Sequence, residues 1–167
     1  MRNGADLPET LTVLAAEVLE AARSRGDLIA TAESCTGGLV AAALTSVPGS
    51  SDVFDRGFVT YRNTAKSQML GVPFWLIEKH GAVSEDVALS MAGGALTHSG
   101  ATVAVAVTGV AGPGGGTAEK PVGLVHFAAG RRDGAMEHRR MTFGDLGRAE
   151  IRARSVDCAL QMLRALF

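Results

Sequence analysis

Ser34 and Lys66 are the residues of this chain whose types and surroundings best suit chemistry. Ser34 stands in Ala32-Glu33-Ser34-Cys35-Thr36-Gly37-Gly38, between the short apolar run Leu28–Ala32 and the small-residue stretch Leu39–Leu44. The first run is β-compatible and the second reads as the body of a buried helix, so Ser34 falls on a strand-to-helix turn. The opening N–H groups of a helix, here near Thr36 and Gly37, lack intrahelical partners and carry the positive end of the dipole. They suit an oxyanion or a phosphate, and Gly37 and Gly38, without a Cβ, let a ligand come close. By position alone Ser34 reads first as a helix cap and second as a nucleophile. A serine nucleophile needs a base, and Lys66 stands five residues after Tyr61, the only tyrosine. An amine with an ordinary pKa of about 10.4 accepts a proton near neutrality only when burial or a nearby positive field lowers that value. The Tyr61 hydroxyl is placed to orient the amine or relay a proton. The commoner fate of such residues is a solvated lysine and a strand-end aromatic, and spacing leaves both readings open. Cys35 carries a more nucleophilic atom but reads as a small packing residue.

Other chemistries are excluded by inspection. There is no Gly-Lys pair of a phosphate-binding loop, no His-Glu-x-x-His and no Gly-x-Gly-x-x-Gly. His80, His98, His126 and His138 follow no metal-ligand spacing and read as core or surface residues, so no metal is expected. None of them is placed to serve a Ser-His-Asp triad.

The elements that must position Ser34 and Lys66 alternate helix and strand. Asp6-Leu7-Pro8-Glu9 reads as a capping box for a helix burying Leu11, Leu14, Val18, Leu19 and Ala22 and ended by Gly26. A strand over 28–33 and a helix over 36–46 follow, stopped by Pro48-Gly49. Val53–Tyr61 reads as a second strand with a possible bulge at Gly57, and Asn63 caps a short helix through Leu70. A short helical piece ends at Gly81, and Ser84 caps a helix that runs to Ser99-Gly100. Thr102–Thr108, apolar on both faces, is a central strand. The loop Gly109–Thr117 after it cannot be regular structure, and such a loop at a central strand's carboxyl end is where open α/β sheets bind ligands. Val122–Ala129 and Met136–Phe143 form an antiparallel hairpin, and a helix over 148–167 closes the chain. The sum is a three-layer α/β/α sandwich with a mixed sheet of about five strands.

At 167 residues, 47% hydrophobic and 20% charged, the chain suits one domain over 1–167, with 1–7 read as a flexible tail. A net charge of −1 points to neither nucleic acid nor a membrane surface, and Arg131-Arg132 and Arg139-Arg140 read as exposed hairpin ends. Two cysteines without a Cys-x-x-Cys argue against a disulfide or zinc framework and fit a reducing compartment. With no export signal and no apolar run of ~18 residues, a cytoplasmic protein is expected.

Six ordered motifs together resemble the CinA C-terminal domain family from about residue 8 onward. They are the Ala32–Gly38 stretch, Pro48-Gly49-Ser50-Ser51, Tyr61 with Lys66, Leu70-Gly71-Val72-Pro73, Gly81-Ala82-Val83-Ser84 and Thr108–Gly115. The resemblance implies a nicotinamide mononucleotide deamidase with the same α/β/α fold, which hydrolyses the carboxamide to nicotinate mononucleotide and ammonia. It implies Ser34 as nucleophile, Lys66 as base and Tyr61 as assisting hydroxyl. Thr36, Gly37, Gly38, Thr108, Gly112, Gly114 and Gly115 would line the substrate site, and Arg148 and the glycine-rich loop would hold the phosphate. No cofactor, a small-molecule nucleotide partner and a homodimer or higher homo-oligomer are further implications. The chain departs from the family in Gly144–Arg152, where two residues look inserted before Arg148. Many relatives also carry an N-terminal molybdopterin-binding-like domain that this sequence does not contain, so the resemblance reaches the amidase half alone. A nucleotide-sensing module without turnover, or an amidase acting on another small amide, are the alternatives; the first has no use for a Ser34–Lys66 pair.

Overall fold

The computed structural model describes residues 8–167. Asp6 and Leu7 of the expected capping box, and the expected tail over 1–7, lie outside the described residues. The elements in order are α1 (Glu9–Arg25), β1 (Ile29–Glu33), α2 (Leu39–Thr45), β2 (Phe54–Val59), α3 (Asn63–Leu70), α4 (Phe74–His80), α5 (Glu85–Thr97), β3 (Val103–Gly109), β4 (Leu124–Arg131), β5 (Met136–Thr142) and α6 (Arg148–Arg164). The strands form one sheet in the order β2-β1-β3-β4-β5, with β3 central. β1 pairs parallel with β2 and with β3, whereas β4 and β5 run antiparallel, so the sheet is mixed.

The alternation of side chains along the strands divides the core in two. Val103, Val105 and Val107 of β3 pack with α1, α2 and α6. Ala30, Ala32, Ala104, Ala106 and Ala128 face the opposite layer, which α3, α4 and α5 supply. That alanine floor lets α5 lie close, and Gly94 on α5 comes closer still to α3: a Cβ there would stand 2.0 Å from the Leu70 carbonyl oxygen. The result is the three-layer α/β/α sandwich expected from the element pattern.

Local differences from the expected boundaries have local causes. Gly37 and Gly38 adopt φ of 59° and 98°, a left-handed backbone that no α-helix continues, so α2 starts at Leu39 and not at 36. The bulge in β2 lies opposite Ile29/Ala30, at Asp55. Gly57 is instead a close-approach site, where a Cβ would lie 2.8 Å from Thr31 Oγ1. Arg62, with extended backbone, precedes α3, and Asn63 is its first helical residue. Arg131 and Arg132 are ties and not free hairpin ends. Arg131 Nη2 donates to Asp27 Oδ1 at 2.7 Å, and Arg132 donates to the carbonyls of Leu96 in the last turn of α5 and of Ser99 and Ala101 beyond it. Among the described residues no helix is long and apolar enough to cross a membrane.

Candidate active site

The chain leaves β1 for β2 on one side and later returns to β3 on the other, so a crevice opens at the carboxyl ends of β1 and β3. Ser34 occupies that point. Its N–H donates to Val107 O at 2.9 Å, extending the β1–β3 ladder by one residue, and Gly37 N–H then closes a tight turn on Ser34 O at 3.0 Å.

Glu33, 1% exposed, turns its carboxylate under this turn and accepts from the N–H groups of Gly38 (3.1 Å), Val40 (3.0 Å) and Ala41 (2.9 Å). The first amides of α2 are therefore already occupied, and the expected anion site at the helix tip is not free. The amides of this turn with no acceptor on another described residue are those of Cys35 and Thr36. Thr36 is buried and its carbonyl accepts from Arg152 Nη2 at 3.0 Å.

Lys66 comes from α3, and its side chain is 1% exposed. Its Nζ lies 3.0 Å from Ser34 Oγ and donates to Thr60 O at 2.8 Å and Tyr61 O at 3.4 Å. Burial pulls its pKa down to about 8, against a weaker upward pull from Cys35. With two N–H bonds given to carbonyls, a neutral amine keeps its lone pair for the serine proton. Burial pushes the Cys35 thiol up to about 11, so it stays protonated at neutral pH and packs as a small residue.

Tyr61 corrects one expectation. Its side chain is 56% exposed and its hydroxyl accepts from Arg148 Nη2 at 2.7 Å, so the backbone carbonyls of Thr60 and Tyr61, and not the phenol, orient the lysine. Arg148, the first residue of α6, also donates through Nη1 to Gly112 O at 3.0 Å and so joins α6 to the glycine-rich loop. Thr108 Oγ1 donates to Ala82 O at 2.8 Å.

These residues enclose a cavity of about 510 Å³. Ser34, Lys66, Tyr61, Thr108, Gly112, Gly114, Gly115 and Arg148 line it, together with Cys35, Asn63, Ala82, Val83, Val110 and Ala111. Thr36, Gly37 and Gly38 do not line it, because the left-handed turn carries them away from its wall. None of the four histidines lines it either; His126 and His138 meet each other across β4 and β5, Nδ1 to Nε2 at 2.9 Å. Sequence reasoning missed Glu33 and Arg152. The carboxylate directly before Ser34 was a usable signal, whereas nothing in sequence joins Arg152 to a turn 116 positions away.

Fold and site together define an α/β domain that holds a serine hydroxyl and a buried amine in the crevice at the carboxyl ends of β1 and β3. The chain belongs to the CinA C-terminal domain family, which it matches over residues 11–167. It is 53% identical to the CinA-like protein of Synechococcus sp. (strain RCC307) over 90% of this chain and 36% of that protein, so it spans roughly a third of that relative's length. It is 48% identical to the nicotinamide-nucleotide amidohydrolase PncC of Enterobacter agglomerans over 89% of this chain and 90% of that protein. The crystal structure of the competence/damage inducible protein CihA from Agrobacterium tumefaciens superposes with a TM-score of 0.94 at 54% identity, covering 96% of this chain and 98% of that one.

Proposed function

We propose that this chain is a nicotinamide-nucleotide amidohydrolase that converts nicotinamide mononucleotide to nicotinate mononucleotide and ammonia through an acyl-enzyme on Ser34. The observation that carries this reading is the 3.0 Å approach of a buried amine, with its pKa lowered to about 8, to the Ser34 hydroxyl. The full-length match to a relative of that name supports the substrate.

In this reading neutral Lys66 takes the Ser34 proton as Oγ bonds to the carboxamide carbon. The Cys35 N–H, from a residue on the cavity wall, stabilises the oxyanion in place of the occupied helix tip. The C–N bond then breaks, and the proton on Lys66 passes to the departing ammonia. Water, deprotonated by Lys66, attacks the acyl carbon; the proton returns to Ser34 and nicotinate mononucleotide leaves. Arg148, held between the Tyr61 hydroxyl and Gly112 O, keeps further N–H donors for the substrate phosphate at the cavity wall. The chemistry as written uses only side chains, amides and water. The buried free thiols Cys35 and Cys158 fit a reducing, cytoplasmic setting.

The test is ammonia release from nicotinamide mononucleotide by the purified chain. Turnover that Ser34→Ala abolishes, with the melting curve kept, supports the reading. A Ser34→Ala variant as active as the parent, or a parent that binds the nucleotide and releases no ammonia, overturns it.

A further inference from the structure

We infer that Arg152 is a positioning residue for the oxyanion donor next to Ser34, acting through two peptide groups and not on the substrate. The inference rests on the reading of Ser34 as nucleophile. Arg152 is absent from the cavity wall, yet its guanidinium donates to Thr36 O at 3.0 Å. The peptide that carries this carbonyl also carries the Gly37 N–H, which donates to Ser34 O at 3.0 Å. The peptide of Ser34 O in turn carries the Cys35 N–H, which has no acceptor on any other described residue, its own sulfur apart, and belongs to a residue that lines the cavity. The path is therefore continuous: a cation on one carbonyl, that peptide's N–H on a second carbonyl, and the second peptide's N–H at the site.

Hydrogen bonds in series polarise one another, and a donor strengthens when the carbonyl of its own peptide accepts from a cation. Arginine keeps its charge at every working pH, so the effect is permanent. Glu33 makes such a device necessary, because it engages the amides of Gly38, Val40 and Ala41 and leaves the α2 tip nothing to offer a negative oxygen. A second observation agrees. Arg152 Nε is buried without a partner among the described residues, a cost the fold accepts to keep this side chain where its Nη2 reaches Thr36.

The test uses Arg152→Met, which keeps the length of the stem, and Arg152→Lys, which keeps the charge. Two readouts are followed: turnover of nicotinamide mononucleotide, and the rate at which a fluorophosphonate labels Ser34, where Oγ replaces fluoride on phosphorus and its proton passes to Lys66. Removing a whole oxyanion donor costs 10²–10³ in rate, so weakening one predicts a fall of roughly 10- to 100-fold in kcat and in labelling for Arg152→Met, with KM within about twofold. Arg152→Lys is expected to recover at least part of both. Arg152→Met with the parent's kcat and labelling rate, a loss confined to KM, or a loss that tracks a lowered melting temperature and that lysine does not relieve, overturns the inference. A parent chain that neither labels nor releases ammonia overturns the Ser34 reading itself and the inference with it.

Discussion

Lys66 is buried beside a serine hydroxyl and two carbonyls, and the ionisable neighbour that shifts its pKa is a cysteine and not a carboxylate. A buried ammonium without a counter-ion is unfavourable, and the group responds by losing its proton more readily. The sign for catalysis follows, since the base must be neutral. We expect kcat/KM to rise with pH through a midpoint near 8, flattening above it. A pH–rate profile checks this, and Lys66→Arg, whose guanidinium does not titrate in the range, should lose that limb with nearly all the activity. Cys35→Ala should keep kcat within a few-fold and the same pH midpoint, because a thiol pushed up to about 11 supplies no thiolate at neutral pH.

The strand-to-helix turn and helix α3 place the two reacting groups by different means. The turn is held from beneath by Glu33, whose carboxylate satisfies three amides at the start of α2. Glu33→Ala leaves those amides buried without acceptors and should lower stability by about 2–3 kcal/mol in urea unfolding, while Glu33→Gln, with one acceptor oxygen, loses less. α3 is placed by contact: the Leu70 carbonyl at its end meets α5 where Gly94 has no side chain. A methyl there, 2.0 Å from that oxygen, has to push α3 outward and draw Lys66 from Ser34. Gly94→Ala is therefore expected to cost about 1–3 kcal/mol and to depress kcat more than KM, checked by unfolding and steady-state kinetics together.

Across the whole molecule, the end of the sheet away from the chemistry carries a tie of its own. At the end away from the cavity, Asp27 accepts from Arg131 and from Thr102, each at 2.7 Å, and ties the entry to β1 to the start of β3 and the end of β4. Burial pushes its carboxyl up, but the hydrogen bonds from Arg131 and Thr102 and the charges of Arg131 and Arg25 outweigh it and leave the pKa below the ordinary value. A carboxyl with a lowered native pKa adds stability that is fully present above its unfolded value of about 3.9 and is lost as pH falls through the native one. Asp27→Ala should then lower stability at pH 7 by about 2 kcal/mol, flatten the acid limb of stability below pH ~4, and leave kcat/KM unchanged.

What the sequence determined by itself is what local physics controls. The order of helices and strands, the turn at Ser34, the N-cap at Ser84 and the irregular loop after β3 follow from periodicity, caps and glycine placement, and all are present in the structure. The start of α2 was misjudged because left-handed glycines at 37 and 38 belong to a turn whose geometry the residue types alone did not disclose. Only the tertiary structure decided which distant groups meet: the Lys66 amine on Ser34, the Tyr61 hydroxyl on Arg148 instead of on the lysine, and Arg152 behind Thr36. Those pairings depend on crossover connections that bring together strand ends distant in the chain, and the lowered pKa of Lys66 depends on desolvation, which exists only once the layers have packed.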